Sequence, residues 1–80
     1  MRKYYLELIL NISAESFGPL RDSIMGMGED LNISQAQEDS GAKDKDFKIH
    51  ICTQDPTIIF DTCAQFGKLK SVKVEEKRLS

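Results

Sequence analysis

The sequence predicts an α+β domain in which a four-stranded antiparallel sheet carries two helices on one face. Three observations predict it. Apolar and polar residues alternate with period two over four separate stretches. Between them lie two stretches with apolar residues at helical spacing, and glycine and proline punctuate both. The resulting order is β-α-β-β-α-β, a split βαβ or ferredoxin-like arrangement. Right-handed crossovers then put both helices on one side, with the first and third strands central and the second and fourth at the edges.

Residues 4–12 alternate, with Tyr4, Leu6, Leu8, Leu10 and Ile12 on one side and Tyr5, Glu7, Ile9 and Asn11 on the other. The leucine side is expected to face inward. The first helix is expected to start near Gly18-Pro19, because proline is accepted in a first turn and damaging in a helix interior. Phe17, Leu20, Ile24 and Met27 share one helical face, and Gly28 is read as the residue that ends the helix through positive φ. Gly26 costs about 1 kcal/mol relative to alanine, so this helix relies on tertiary packing. A second strand is expected over residues 30–38, with Leu31 and Ile33 inward and Asn32 and Ser34 outward. It fades into polar residues, as an edge strand does. Residues 38–46 lack apolar periodicity and hold a Ser-Gly, which reads as a solvated hairpin connection.

Phe47, Ile49, Ile51 and Thr53 form the inward side of a third strand, opposite Lys48, His50 and Cys52. The second helix is better signalled than the first. Asp55 is placed to cap it, Pro56 takes the first helical position and Gly67 stops it. Its apolar stripe is Ile59, Cys63 and Phe66, flanked by Ile58 and Phe60. The last strand covers residues 68–77, with Val72 and Val74 inward and Lys73 and Glu75 outward. The expected core is therefore Leu6, Leu8, Leu10, Ile33, Ile49, Ile51, Val72 and Val74 beneath Leu20, Ile24, Met27, Ile59, Cys63 and Phe66.

Eighty residues make one domain, 1–80, with no room for a second core. A chain of this size buries only about 60–65% of its unfolded surface, so it gains much from a partner. Hydrophobic content of 40% with 30% charge is that of a globular domain, not a disordered one. A net charge of −2 and a pI near 5.3 give no basic field for nucleic acid or an anionic membrane. The N-terminal apolar stretch is interrupted by Glu7 and Asn11 and lacks a small-residue cleavage site, so it is not read as a signal peptide. Nothing approaches the roughly 18–20 apolar residues of a membrane span. A cytoplasmic protein is expected. Its two thiols should stay reduced, since no C-x-x-C is present and the sheet separates outward Cys52 from inward Cys63.

The segment Phe17-Gly18-Pro19-Leu20, with Leu31-Asn32-Ile33 after it, resembles the ACT family of small regulatory domains over about residues 4–76. The loop Ser13-Ala14-Glu15-Ser16-Phe17-Gly18 replaces that family's shorter Asp-x-Pro-Gly, which displaces the acidic position and the proline. The resemblance implies a ligand-controlled regulatory module that pairs through its second strands into a homodimer. It also implies a small metabolite, an amino acid, bound where the first loop meets the neighbouring protomer. On that carry-over Asn11, Ser13 and Gly18 line the pocket and Asn32 approaches from the partner. Independently of the family, Gly18 lets backbone come close to a ligand. Amides at a following helix start favour a carboxylate, less the donor that Pro19 lacks. The plain alternative makes Gly18 a simple turn and Asn32 an outward residue on a wet strand.

Other chemistries fit less well. Glu7, His50 and Cys52 meet on the outward sheet face and are metal-ligand types, but no fourth ligand is evident and a polar or partner-covered face is favoured. No metal or cofactor is expected. An RNA-binding sheet would need aromatics on both central strands, and the third offers Lys48, His50 and Cys52 beside Tyr5. Asn11-Ile12-Ser13-Ala14 has neither the glycine-rich phosphate loop nor the arginine of an acylphosphatase. Ser13, Ser16, His50 and the carboxylates show no nucleophile–base–orienter set, so no enzyme activity is expected. Two readings remain. One is a small-ligand regulatory module; the other is a protein-interaction or assembly module pairing through a sheet edge or face without a small ligand.

Overall fold

The alternating residues 4–12 form the middle of β1 (Arg2–Ser13) in the computed structural model, which describes residues 2–35 and 44–78. The chain continues through α1 (Ala14–Ile24), β2 (Glu29–Gln35), β3 (Asp44–Thr53), α2 (Pro56–Phe66) and β4 (Lys68–Arg78). The sheet order is β2-β3-β1-β4, with every neighbouring pair antiparallel. This is the α+β, ferredoxin-like βαββαβ architecture expected from the sequence. Residues 36–38 of the expected second strand and 38–43 of the expected connection lie outside the described residues, while 44–46 belong to β3.

Leu6, Leu8, Leu10 and Ile12 of β1 and Ile49 and Ile51 of β3 are buried on one side of the sheet. Leu20, Ile24, Ile59 and Cys63 roof them. Each buried aliphatic side chain contributes about 1.5–3 kcal/mol, so this layer is what holds two eleven-residue helices to the sheet. The valines of β4 depart from expectation. Val72 and Val74 stand opposite Leu8 and Leu6, on the helix side, yet each is 46% exposed. They sit at the sheet edge, beyond the cover that the short helices give. Ile33, Met27 and Phe66 are partly buried against the core and not within it.

The first helix is the main correction. It begins at Ala14, so Gly18 and Pro19 lie inside it and do not start it. The earlier start adds a turn that brings Phe17 onto Phe47 of β3, with ring centroids 4.7 Å apart. It also puts Glu15 at the positive end of the helix. Pro19 has no N–H to reach the Glu15 carbonyl, and packing Phe17, Leu20 and Ile24 on one face outweighs that lost bond. The helix ends at Ile24, where the Met25 amide donates to the Arg21 carbonyl at 3.0 Å. Gly26 and Gly28 therefore belong to the turn into β2. Gly28 serves close approach, not positive φ: a Cβ there would stand 2.5 Å from the Cys52 carbonyl oxygen.

β2 is short and irregular. Its register with β3 shifts between Glu29 and Asn32, and Asp30 is left-handed at φ 55°. Aspartate enters that region more readily than most side chains, and the bulge bends the strand at the sheet edge. α2 follows its sequence signals more closely. Pro56 opens it, but the Asp55 side chain makes no cap; the Asp55 amide instead donates to Thr53 Oγ1 at 3.1 Å. Gly67 ends the helix, its amide donating to the Cys63 carbonyl at 3.1 Å. Among the described residues no helix is long and apolar enough to cross a membrane.

Candidate functional site

The four residues singled out from the sequence fall on three elements. Asn11, on β1, donates to Asp46 Oδ1 at 2.7 Å. Ser13 occupies the N-cap position of α1, and its hydroxyl donates to that of Ser16 at 3.0 Å. Gly18 is an interior residue of α1, with open space around it. Asn32 is exposed on β2, opposite His50. A shallow cleft beside Ser13 is lined by Ala14, Glu15 and Asp44 and includes none of the other three. The backbone of Gly18 is thus committed to a helix and not to a loop that could wrap a ligand. Gly18→Ala is expected to stabilise the domain by about 0.5–1 kcal/mol in denaturant unfolding, because alanine fits a helix interior better. A destabilised variant would show that this position is held in a turn.

The open face of the sheet is a lattice of opposed charges. Glu7 Oε1 accepts from Lys48 Nζ at 3.2 Å and lies 3.0 Å from His50 Nε2. Asp46 accepts from Asn11 and, through its other oxygen, from Lys70 at 2.9 Å. Lys3 pairs with Glu29 at 3.0 Å. The hydrogen bond from Lys48, with His50 assisting, holds the Glu7 carboxyl below its ordinary range. Asn11 first, then Lys70, do the same for Asp46. Glu29 raises the Lys3 ammonium.

A carboxyl depressed by folding stabilises the native state above its unfolded pKa. That contribution disappears as pH falls through the lower folded value. With ordinary values of 4.5 for Glu7 and 3.8 for Asp46, stability should decline as the solution is acidified through and below those values. Lys3 works in the opposite direction: its contribution is complete below 10.5 and is lost as pH rises through its raised value. Urea midpoints across the acid range should therefore fall less steeply for Glu7→Gln than for the natural chain. An identical acid slope in the two proteins would mean that the Lys48–Glu7–His50 cluster is not formed in solution.

Glu7 and His50 touch, but among the described residues no group of three or more His, Cys, Asp or Glu side chains is arranged to hold a metal ion. Cys52 and Cys63 are free and buried on opposite sides of the sheet, Cys52 beside Tyr5 in the open-face row and Cys63 in the core. Burial pushes the Cys63 thiol up to about 11.

Sequence reasoning missed a cavity of about 340 Å³ at one end of the sheet. The α1–β2 turn and the β3–α2 loop form its walls, with Gly26, Gly28, Cys52, Thr53 and Asp55 lining it and Lys3 at its side. Thr53, 4% exposed, ties the two walls together. Its hydroxyl donates to the Met27 carbonyl at 2.9 Å and accepts from the Asp55 amide at 3.1 Å. Gly26-Met27-Gly28 and Asp55-Pro56 are the turn signals that mark this end, and the topology brings them together.

The outer edge of β4 is the second feature that sequence reasoning undervalued. The strand has eleven residues, and its pairing with β1 is regular from Ser71 to Arg78. Val72 and Val74 lie half-exposed on its helix side. Lys73 and Glu75 alternate with them on the open side, and neither has an ion-pair partner among the described residues.

No curated protein matches this chain. Among solved structures it is similar to LarC2, the C-terminal domain of a cyclometallase involved in the synthesis of the NPN cofactor of lactate racemase, in its apo form. That likeness has a TM-score of 0.62 at 12% identity and covers 96% of this chain and 56% of the other, so it is a likeness of fold. Residues 2–79 match the family of FakA-like middle domains, named for a component of fatty acid kinase, and the chain belongs to that family.

Proposed function

We propose that this chain is an assembly module: a middle domain of a fatty-acid-kinase-like protein that associates through a free sheet edge and performs no chemical step of its own. The observation that carries this reading is β4. Among the described residues it borders one strand, β1, and its outer edge lies beside two valines that the helices leave 46% exposed. Such an edge gains hydrogen bonds and apolar cover when a strand is added to it. The middle of the open face supports the same reading, since Glu7, Lys48 and His50 are engaged with one another and Asp46 with Lys70. That leaves Lys73 and Glu75, at the β4 edge, without an ion-pair partner among the described residues. We place the domain in the cytoplasm, where Cys52 and Cys63 stay reduced. Light scattering across a wide concentration range tests the role. A mass rising above that of one chain is expected; a single-chain mass at every concentration contradicts it.

The cavity between the α1–β2 turn and the β3–α2 loop favours a second reading, a small-metabolite site in a regulatory homodimer. Its volume lies at the small end of the range of ligand pockets, and the ACT resemblance points to an amino acid. Calorimetric titration with the amino acids decides it. Saturable heat that Thr53→Val weakens supports sensing, and the absence of heat and of thermal shift with every amino acid removes it.

A further inference from the structure

We propose that a second copy of this chain adds across β4 about a two-fold axis through Val74, joining two four-stranded sheets into one of eight strands. The inference rests on the assembly reading and names both the partner and the register.

Antiparallel pairing of a strand with its own copy puts residues equidistant from the axis opposite each other, on the same face. With the axis at Val74, Lys73 of each copy faces Glu75 of the other, twice, on the open side. Val74 meets its mate on the helix side. Moving the axis to Lys73 opposes two lysines, and moving it to Glu75 opposes two glutamates. Moving it to Val72 leaves Lys73 opposite Ser71 and sets Lys68 against Glu76, which Arg2 already holds. The register about Lys73 likewise sets Glu76 opposite Lys70, which Asp46 holds. Of these four registers, the one about Val74 pairs unlike charges, Lys73 and Glu75, that have no competing ion pair among the described residues.

The same strand discourages other partners. Lys68, Lys70 and Lys73 on an edge repel strands that carry no acid in register, so an incoming strand must place a carboxylate opposite Lys73. A second β4 does so. The opposite edge is less suited, because β2 has seven residues and a bulge with Asp30 at φ 55°. Glu76, which faces Val72 of the mate, is already held by Arg2 at 3.5 Å.

Charge reversal tests the register by analytical ultracentrifugation of the full chain. Lys73→Glu alone, or Glu75→Lys alone, turns two attractive cross-strand pairs into two repulsive ones and should weaken dimerisation by at least about tenfold. The double variant Lys73→Glu/Glu75→Lys exchanges the two charges and should restore it. Both side chains are exposed, so circular dichroism should stay near that of the natural chain. Lys73 stands opposite Glu7 on β1, so the Lys73→Glu unfolding midpoint should fall slightly. Glu75→Lys, opposite Tyr5, serves as the variant without that intrachain change. A natural dimer that neither single variant weakens, or that the double variant does not rescue, overturns the β4 register and leaves assembly through another surface standing. A chain that stays monomeric throughout overturns both. A monomer that nevertheless captures an added peptide strand on β4 overturns self-pairing and reassigns the edge to a foreign partner.

Discussion

Gly67→Ala should destabilise this domain by about 3 kcal/mol, near the upper end of the usual cost of overpacking. Gly67 joins α2 to β4 with extended backbone, φ −168°, which any residue adopts, so backbone freedom is not the issue. Space is. A Cβ built there would overlap Ile12 Cγ2 and the Asn11 carbonyl oxygen. The first is a fully buried core group and the second is backbone of the central strand, so neither moves without disturbing β1. A domain of this size has roughly 4–12 kcal/mol to lose, and a substantial part of the population should unfold at moderate temperature. Urea unfolding of the variant checks this. A midpoint within error of the natural chain would mean that the junction of α2 and β4 has room for a methyl group.

Leu8→Ala should cost about 3–4 kcal/mol, whereas Val72→Ala, its direct partner across the β1–β4 pairing, should cost less than about 1 kcal/mol. The two side chains point the same way from adjacent strands. Leu8 is fully buried between β3 and β4, and truncation leaves a cavity that the close-packed layer cannot fill. Val72 is half in water already, so little burial is lost. The contrast is a direct measure of where helix cover ends. Comparable losses at the two positions would show that the helix side of β4 is covered after all.

Those same residues show how far the sequence could be read. Period-two alternation is a local property, and it located all four strands and both faces of the sheet. The pairing order followed from chain topology. Burial at Val72 and Val74 did not follow, because alternation reports which face a side chain takes and not whether a helix reaches over it. The start of α1 was misread for a different reason. Proline is accepted in a first turn and damaging in a helix interior, so Pro19 reads locally as a helix start. The gain that overrides it, Phe17 on Phe47, joins residues distant in sequence. Moving Gly18 into a helix also dispersed the expected ligand residues, since the pocket at Asn11, Ser13, Gly18 and Asn32 presumed a loop at that glycine. The cavity walled by Gly28 and Thr53 was invisible for the same reason as the aromatic pair: two turns remote in sequence form it.

Amide hydrogen exchange of β4 as a function of protein concentration tests most directly whether this edge is where the domain associates. Edge-directed amides between Ser71 and Lys77 should exchange freely in dilute solution and gain protection as the concentration rises, while residues 29–35 keep one rate throughout. Protection that grows along β2 instead, or β4 rates indifferent to concentration, would contradict the account.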